Sequence, residues 1–77
     1  MNLDAIRACL NETFKNERKD YEELLAFLKQ AAEEKDRLAF FEIALALQRL
    51  GPASPPGLDL AGRQREAESI LIADATV

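Results

Sequence analysis

Leu38-Ala39-Phe40-Phe41-Glu42-Ile43-Ala44-Leu45-Ala46-Leu47-Gln48-Arg49-Leu50 is the stretch whose reading decides the fold. Only Glu42, Gln48 and Arg49 in it are polar. Wound at about 100° per residue, its apolar side chains cover nearly the whole circumference of a helix. Such a helix must be covered on more than one side, and the rest of the chain offers little to cover it with. The pattern therefore predicts a partner, either a second copy of the chain or another protein.

Size points the same way. Seventy-seven residues make one small domain. A chain of this size buries only about 60% of the surface its unfolded form exposes, so it is marginal without staples. Cys9 is the single cysteine and there is no histidine. An intrachain disulfide and an ordinary zinc site are both excluded, and no metal or cofactor is expected. Oligomerisation is the remaining common remedy, and a homodimer is expected.

The start, Met1-Asn2-Leu3-Asp4, lacks the basic segment and apolar core of a secretory signal. The apolar window is about half a dozen residues too short to span a membrane, and Glu42 interrupts it. A free thiol fits a reducing compartment. The expected setting is the cytoplasm, without membrane contact. Net charge is −4, from 10 basic and 14 acidic residues. Such a chain is repelled by phosphate backbones and suits a protein with a basic surface, although the same charge also serves simple solubility.

Working outward from residues 38–50, Glu33-Glu34-Lys35-Asp36 is a polar run in which Asp36 can cap the helix, and Gly51-Pro52 is a stop signal. Upstream, Tyr21, Leu24, Leu25, Leu28, Ala31 and Ala32 recur at helical spacing, as do Leu3, Ile6, Leu10 and Phe14. Asn2 or Asp4 can cap the first stretch. Asp20 followed by Glu23 is a capping-box pattern for the second. Either one helix runs from Leu3 to about Glu34 or the chain breaks near Asn16–Lys19. Downstream, Gly51 to Gly57 holds all three prolines and reads as a semi-extended linker. Leu60 to Ala73 can form a short helix. Ile70-Leu71-Ile72 is an apolar patch that can dock, pair or bind, and Asp74 to Val77 are expected to fray. The resulting expectation is an all-α bundle of two or three helices over residues 1–51, forming a dimer, with a Pro-rich linker and short C-terminal segment over residues 52–77.

No catalytic constellation is present. Without histidine the usual base and nucleophile pairs are missing, so the chain is expected not to be an enzyme. Adjacent carboxylates such as Glu22/Glu23 and Glu33/Glu34 diverge on a helix and read as solvated surface. Lys15, Arg18 and Lys19 read as a solvated turn near a helix end. Tyr21 suits a core position with its hydroxyl at the edge. Phe27, Phe40 and Phe41 point in different directions. Either one of them serves an interface as an aromatic anchor or all three pack inside.

Ala26-Phe27-Leu28-Lys29-Gln30-Ala31-Ala32-Glu33-Glu34-Lys35-Asp36, continuing through Phe40-Phe41 and Ala44 to Leu50-Gly51, resembles the N-terminal half of small bacterial addiction-module antidote proteins. There an amphipathic helix and an acidic turn lead into a helix-turn-helix domain. The resemblance implies an antitoxin-type protein that binds another protein, and a dimer that reads operator DNA. The chain departs from that pattern after Gly51. The Pro-rich segment and Leu58-Asp59-Leu60-Ala61-Gly62-Arg63-Gln64-Arg65-Glu66 follow, and no helix-turn-helix pair fits.

The function expected first is a non-enzymatic inhibitor or antitoxin-type module that occupies a partner protein's surface. Phage-encoded inhibitors of bacterial defence systems share this profile by analogy. The expected contacts are Phe27, Phe40, Phe41 and Leu47, with Glu33, Glu34 and Asp36 steering a basic partner. The alternatives are a dimeric DNA-binding regulator, with Arg63 and Arg65 on phosphates, and a structural or assembly subunit.

Overall fold

Helix formation begins at Asn2, whose side chain accepts the backbone N–H groups of Asp4 and Ala5 at 3.0 and 3.3 Å. The computed structural model describes residues 2–73; Asp74 to Val77, expected to fray, lie outside them. Among the described residues all regular structure is helical. Helix α1 (Leu3–Ala8) runs into a π-helical turn (Cys9–Thr13), and α2 (Arg18–Glu33) and α3 (Arg37–Leu50) follow. A 3-10 turn (Gly51–Ala53) and α4 (Leu60–Ile72) complete the chain. The all-α expectation holds: three α-helices fall within residues 1–51, and α4 is the short helix expected from Leu60.

Of the two alternatives for residues 3–34 the chain takes the break, between Thr13 and Arg18. The π turn closes with the Phe14 N–H on Cys9 O at 2.8 Å, and Asn16 then takes a left-handed backbone with φ of 60°, which asparagine tolerates. Helix α2 starts earlier than the sequence pattern indicates. Its cap is Glu17, not Asp20. Asp20 instead sits at the third helical position and turns its carboxylate back, accepting the N–H groups of Lys15 at 2.8 Å and Glu17 at 3.1 Å. These two donors would otherwise be orphaned at the break, so the carboxylate is more useful three residues inside the helix than at its cap.

Tyr21, Leu24, Leu25, Leu28, Ala31 and Ala32, the stripe read from the sequence, are all buried. A fully buried leucine contributes roughly 1.5–3 kcal/mol, whereas exposed ion pairs contribute ~0–1 kcal/mol each. This stripe therefore holds the fold. Helix α2 packs against both α3 and α4, which touch each other less. Ile6 of α1 is buried in the same core, with Leu3, Leu10 and Phe14 half-buried against it.

Tyr21 ties three segments together. Its ring meets Phe14 edge-on at 5.0 Å. Its hydroxyl donates to Leu50 O at 2.7 Å and lies 3.2 Å from Asn16 Oδ1. Burial raises the pKa of the phenol, which keeps it in the donating form. Leu50 O belongs to the last turn of α3, where carbonyls lack helical partners. Helix α3 ends there as the Gly51-Pro52 signal indicates. Gly51 itself stays right-handed with φ of −53°, and the chain tightens into the 3-10 turn instead of reversing.

The α2–α3 corner is a Schellman closure. The N–H of Lys35 reaches Ala32 O at 3.2 Å, and that of Asp36 reaches Ala31 O at 2.9 Å. Lys35 occupies the left-handed position usual for glycine, with φ of 58°. Its ammonium donates to Ile70 O, with Leu71 O 3.4 Å away, and so caps the C-terminal end of α4. Asp36 caps α3 as expected, accepting the Ala39 N–H at 3.2 Å. At the other end of α4, the carboxylate of Asp59 accepts the Gly62 N–H at 2.9 Å and fills the space a Cβ on Gly62 would need. Ala67 and Leu71 of α4 enter the core beside α2, while Ile72 is half-exposed. The sequence patch 70–72 is thus divided between core and surface.

Two outcomes check this scheme. Tyr21→Phe should lower stability by about 1 kcal/mol in denaturant unfolding; an unchanged midpoint would remove the Leu50 contact from the account. Asp20 has its pKa lowered, first by the Lys15 N–H, despite partial desolvation. Its charged form therefore stabilises the fold above the unfolded carboxylate value, and that contribution disappears as pH falls through the lower folded value. Asp20→Asn should be less stable than the parent at neutral pH, with the gap closing in that acidic window. A gap independent of pH would show that the charge is immaterial.

Candidate protein-binding face

Helix α3 carries two apolar faces on opposite sides. Ala39, Phe40, Ile43, Ala46 and Leu47 turn inward and are buried. Leu38, Phe41 and Leu45 are exposed to 68%, 59% and 59%. Their spacing of three and then four residues places them on one line, about 180° around the helix from the buried set. The sequence expectation that this helix is covered on more than one side is met by the fold on only one.

Grooves run along both flanks of this ridge. One, of about 440 Å³, lies toward α1 and the π turn, and is lined by residues including Arg7, Leu10, Glu42, Leu45 and Arg49. Its rim is charged. The Arg7 guanidinium holds both oxygens of Glu42, with Nε at 3.1 and 3.2 Å, and the Glu42 carboxylate raises the arginine's pKa further. The polar interruption of the apolar stretch is thus the point at which α1 is tied to α3. The other groove, of about 540 Å³, runs between α3 and α4 and carries no charge. Phe41, Ala44, Leu45 and Leu47 line one side, Leu60, Ala61 and Gln64 the other, with Gln48 and Gly51 completing it.

The residues singled out by sequence do not converge on one site. Phe41 stands on the ridge. Phe40 and Leu47 are core residues, exposed to only 5% and 1%, and they support the ridge from beneath; the Phe40 and Phe41 rings meet edge-on at 6.0 Å. Phe27 is half-buried against the core. Glu33 and Glu34 are exposed at the end of α2. The Glu34 carboxylate accepts from Gln30 Nε2 at 2.8 Å, which lowers its pKa. Asp36 is half-buried, and its carboxylate is engaged in capping. A stretch that is apolar on every side does not by itself single out Leu38 and Leu45. Their spacing with Phe41 could have marked them, but not which face α2 would take.

Other candidate chemistry is dispersed. Arg18 pairs with Glu22 at 3.2 Å and Lys19 with Glu17 at 3.4 Å, so two of the three basic residues meet nearby acids. Arg63 and Arg65, two apart on α4, diverge by about 200°. Burial pushes the Cys9 thiol up, away from the thiolate a nucleophile needs. Among the described residues no group of histidine, cysteine or carboxylate side chains is arranged to hold a metal, and no helix is long and apolar enough to cross a membrane. Comparison with protein-family models, curated proteins and solved structures finds no match.

The two adjacent phenylalanines should differ sharply. Phe40→Ala should cost about 3–5 kcal/mol, a large part of the ~5–15 kcal/mol that holds a domain together. Phe41→Ala, measured in dilute protein, should leave the melting temperature nearly unchanged. Comparable losses in the two melts would contradict the inward and outward placement of the rings.

Proposed function

We propose that the chain is a small non-enzymatic protein-binding module that acts by occupying a partner's surface, in the manner of a compact inhibitor or antitoxin. The observation that carries this reading is the bare ridge of Leu38, Phe41 and Leu45 on a helix whose opposite face is core. Aromatic side chains at the centre of such patches supply a disproportionate share of binding energy, and Phe41 holds that position. The grooves on both flanks offer room for a partner's side chains. Glu33 and Glu34, at the end of α2, add negative potential suited to steering a basic partner. The resemblance of residues 26–51 to antidote proteins is in keeping with a protein-binding role, and the proposed setting is the cytoplasm. The DNA-binding alternative gains no support from Arg63 and Arg65, which cannot face one phosphate strand together.

A photo-crosslinking phenylalanine analogue in place of Phe41, introduced in living cells, tests this. It should form adducts with polypeptide, while the same probe in place of Glu22, on α2, should not. Equal labelling from both positions, or none from position 41, would remove the ridge as a contact surface.

A further inference from the structure

We infer that the uncharged groove between α3 and α4 is the seat of a second copy of this chain. Phe41 and Leu45 of each copy would enter the groove of the other about a two-fold axis. The inference rests on the reading of this face as protein-binding and names its occupant.

Three observations carry it. The first is chemistry. The groove lining, from Phe41 to Gln64, contains no charged residue in a chain with 10 basic and 14 acidic groups. A basic partner would find no acid there to meet. Two copies of an acidic chain can approach through this face without bringing like charges together in its lining. The second is shape. A two-fold contact requires a surface complementary to itself. Here an apolar ridge stands beside an apolar groove on the same helix, so one antiparallel crossing fills both grooves at once. The third is area. Leu38, Phe41 and Leu45 together expose on the order of 350 Å² of mainly apolar surface, given that a large aromatic side chain alone can bury ~150–250 Å². That is nearly half of the ~800 Å² per partner in a standard stable interface. Ala44, Gln48, Leu60, Ala61 and Gln64 supply further area beside it.

This arrangement keeps Arg7, Glu42 and Arg49, on the far flank of the ridge, out of the groove that the second copy fills. Dimerisation also supplies what a short chain without disulfide or metal lacks, because association stabilises the folded form by mass action.

The test is absolute mass by light scattering coupled to size exclusion, together with thermal melts, over a wide range of concentration. The full chain should run as a dimer whose melting temperature rises with concentration. Phe41→Asp and Leu45→Glu should each weaken dimerisation by at least about tenfold, while circular dichroism shows the helices intact. Ile72→Asp, at an exposed apolar position away from this groove, should remain dimeric. A parent chain that is monomeric throughout overturns the inference; crosslinking from position 41 to a different protein would then show that the protein-binding reading survives. A dimer unaffected by both Phe41→Asp and Leu45→Glu overturns it as well, since the contact would lie elsewhere.

Discussion

One helix must serve two neighbours. Helix α2 is the element on which both α3 and α4 rest, and its stripe from Tyr21 to Ala32 is wide enough to do so because it combines three leucines with two small alanines near the corner. The small residues let the following helix approach closely, while the leucines fill the centre. Helix α1 reaches the core through Ile6 and is tied to α3 at Glu42. Nothing within the described residues remains to lie over Leu38, Phe41 and Leu45. The bare ridge is therefore a consequence of helix count and length, rather than of an isolated substitution on the surface.

Much of this was legible in the sequence. The α2 stripe, Asp36 as a cap, the end of α3 at Leu50 and a helix beginning at Leu60 all follow from period and from cap chemistry, which act locally. The position of Asp20 is ambiguous because a carboxylate can serve a helix start from the cap, accepting N–H groups of the first turn, or from three residues inside, accepting the N–H of the cap residue itself. The surrounding pattern of polar residues does not distinguish the two. The choice between one long helix and a break near Asn16–Lys19 stayed open in the sequence. The break after Thr13 has no glycine or proline, and depends on Asn16 adopting a left-handed backbone that the tertiary contacts of Tyr21 support.

The candidate face was legible only in outline. Periodicity establishes that residues 38–50 carry more apolar surface than one partner helix can cover. It does not establish which arc is spare, because Phe40 and Phe41, or Leu45 and Leu47, are equivalent in composition. Only the position of α2 separates them. The Pro-rich segment was obscure for a related reason. Pro55 and Leu58 are half-buried, and their packing depends on where α4 returns, which no local signal encodes.

Lys35 joins two scales of folding. Its left-handed backbone belongs to a corner that can form from neighbouring residues alone, whereas its ammonium reaches carbonyls thirty-five and thirty-six positions away. The corner can thus close early, but the long contact exists only after α4 has docked. Once made, it links the last turn of α4 to the α2–α3 corner, so fraying of that turn must also break a contact to the corner. A glycine there would relax the backbone yet uncouple the two ends, exchanging local ease for a looser closing of the whole chain.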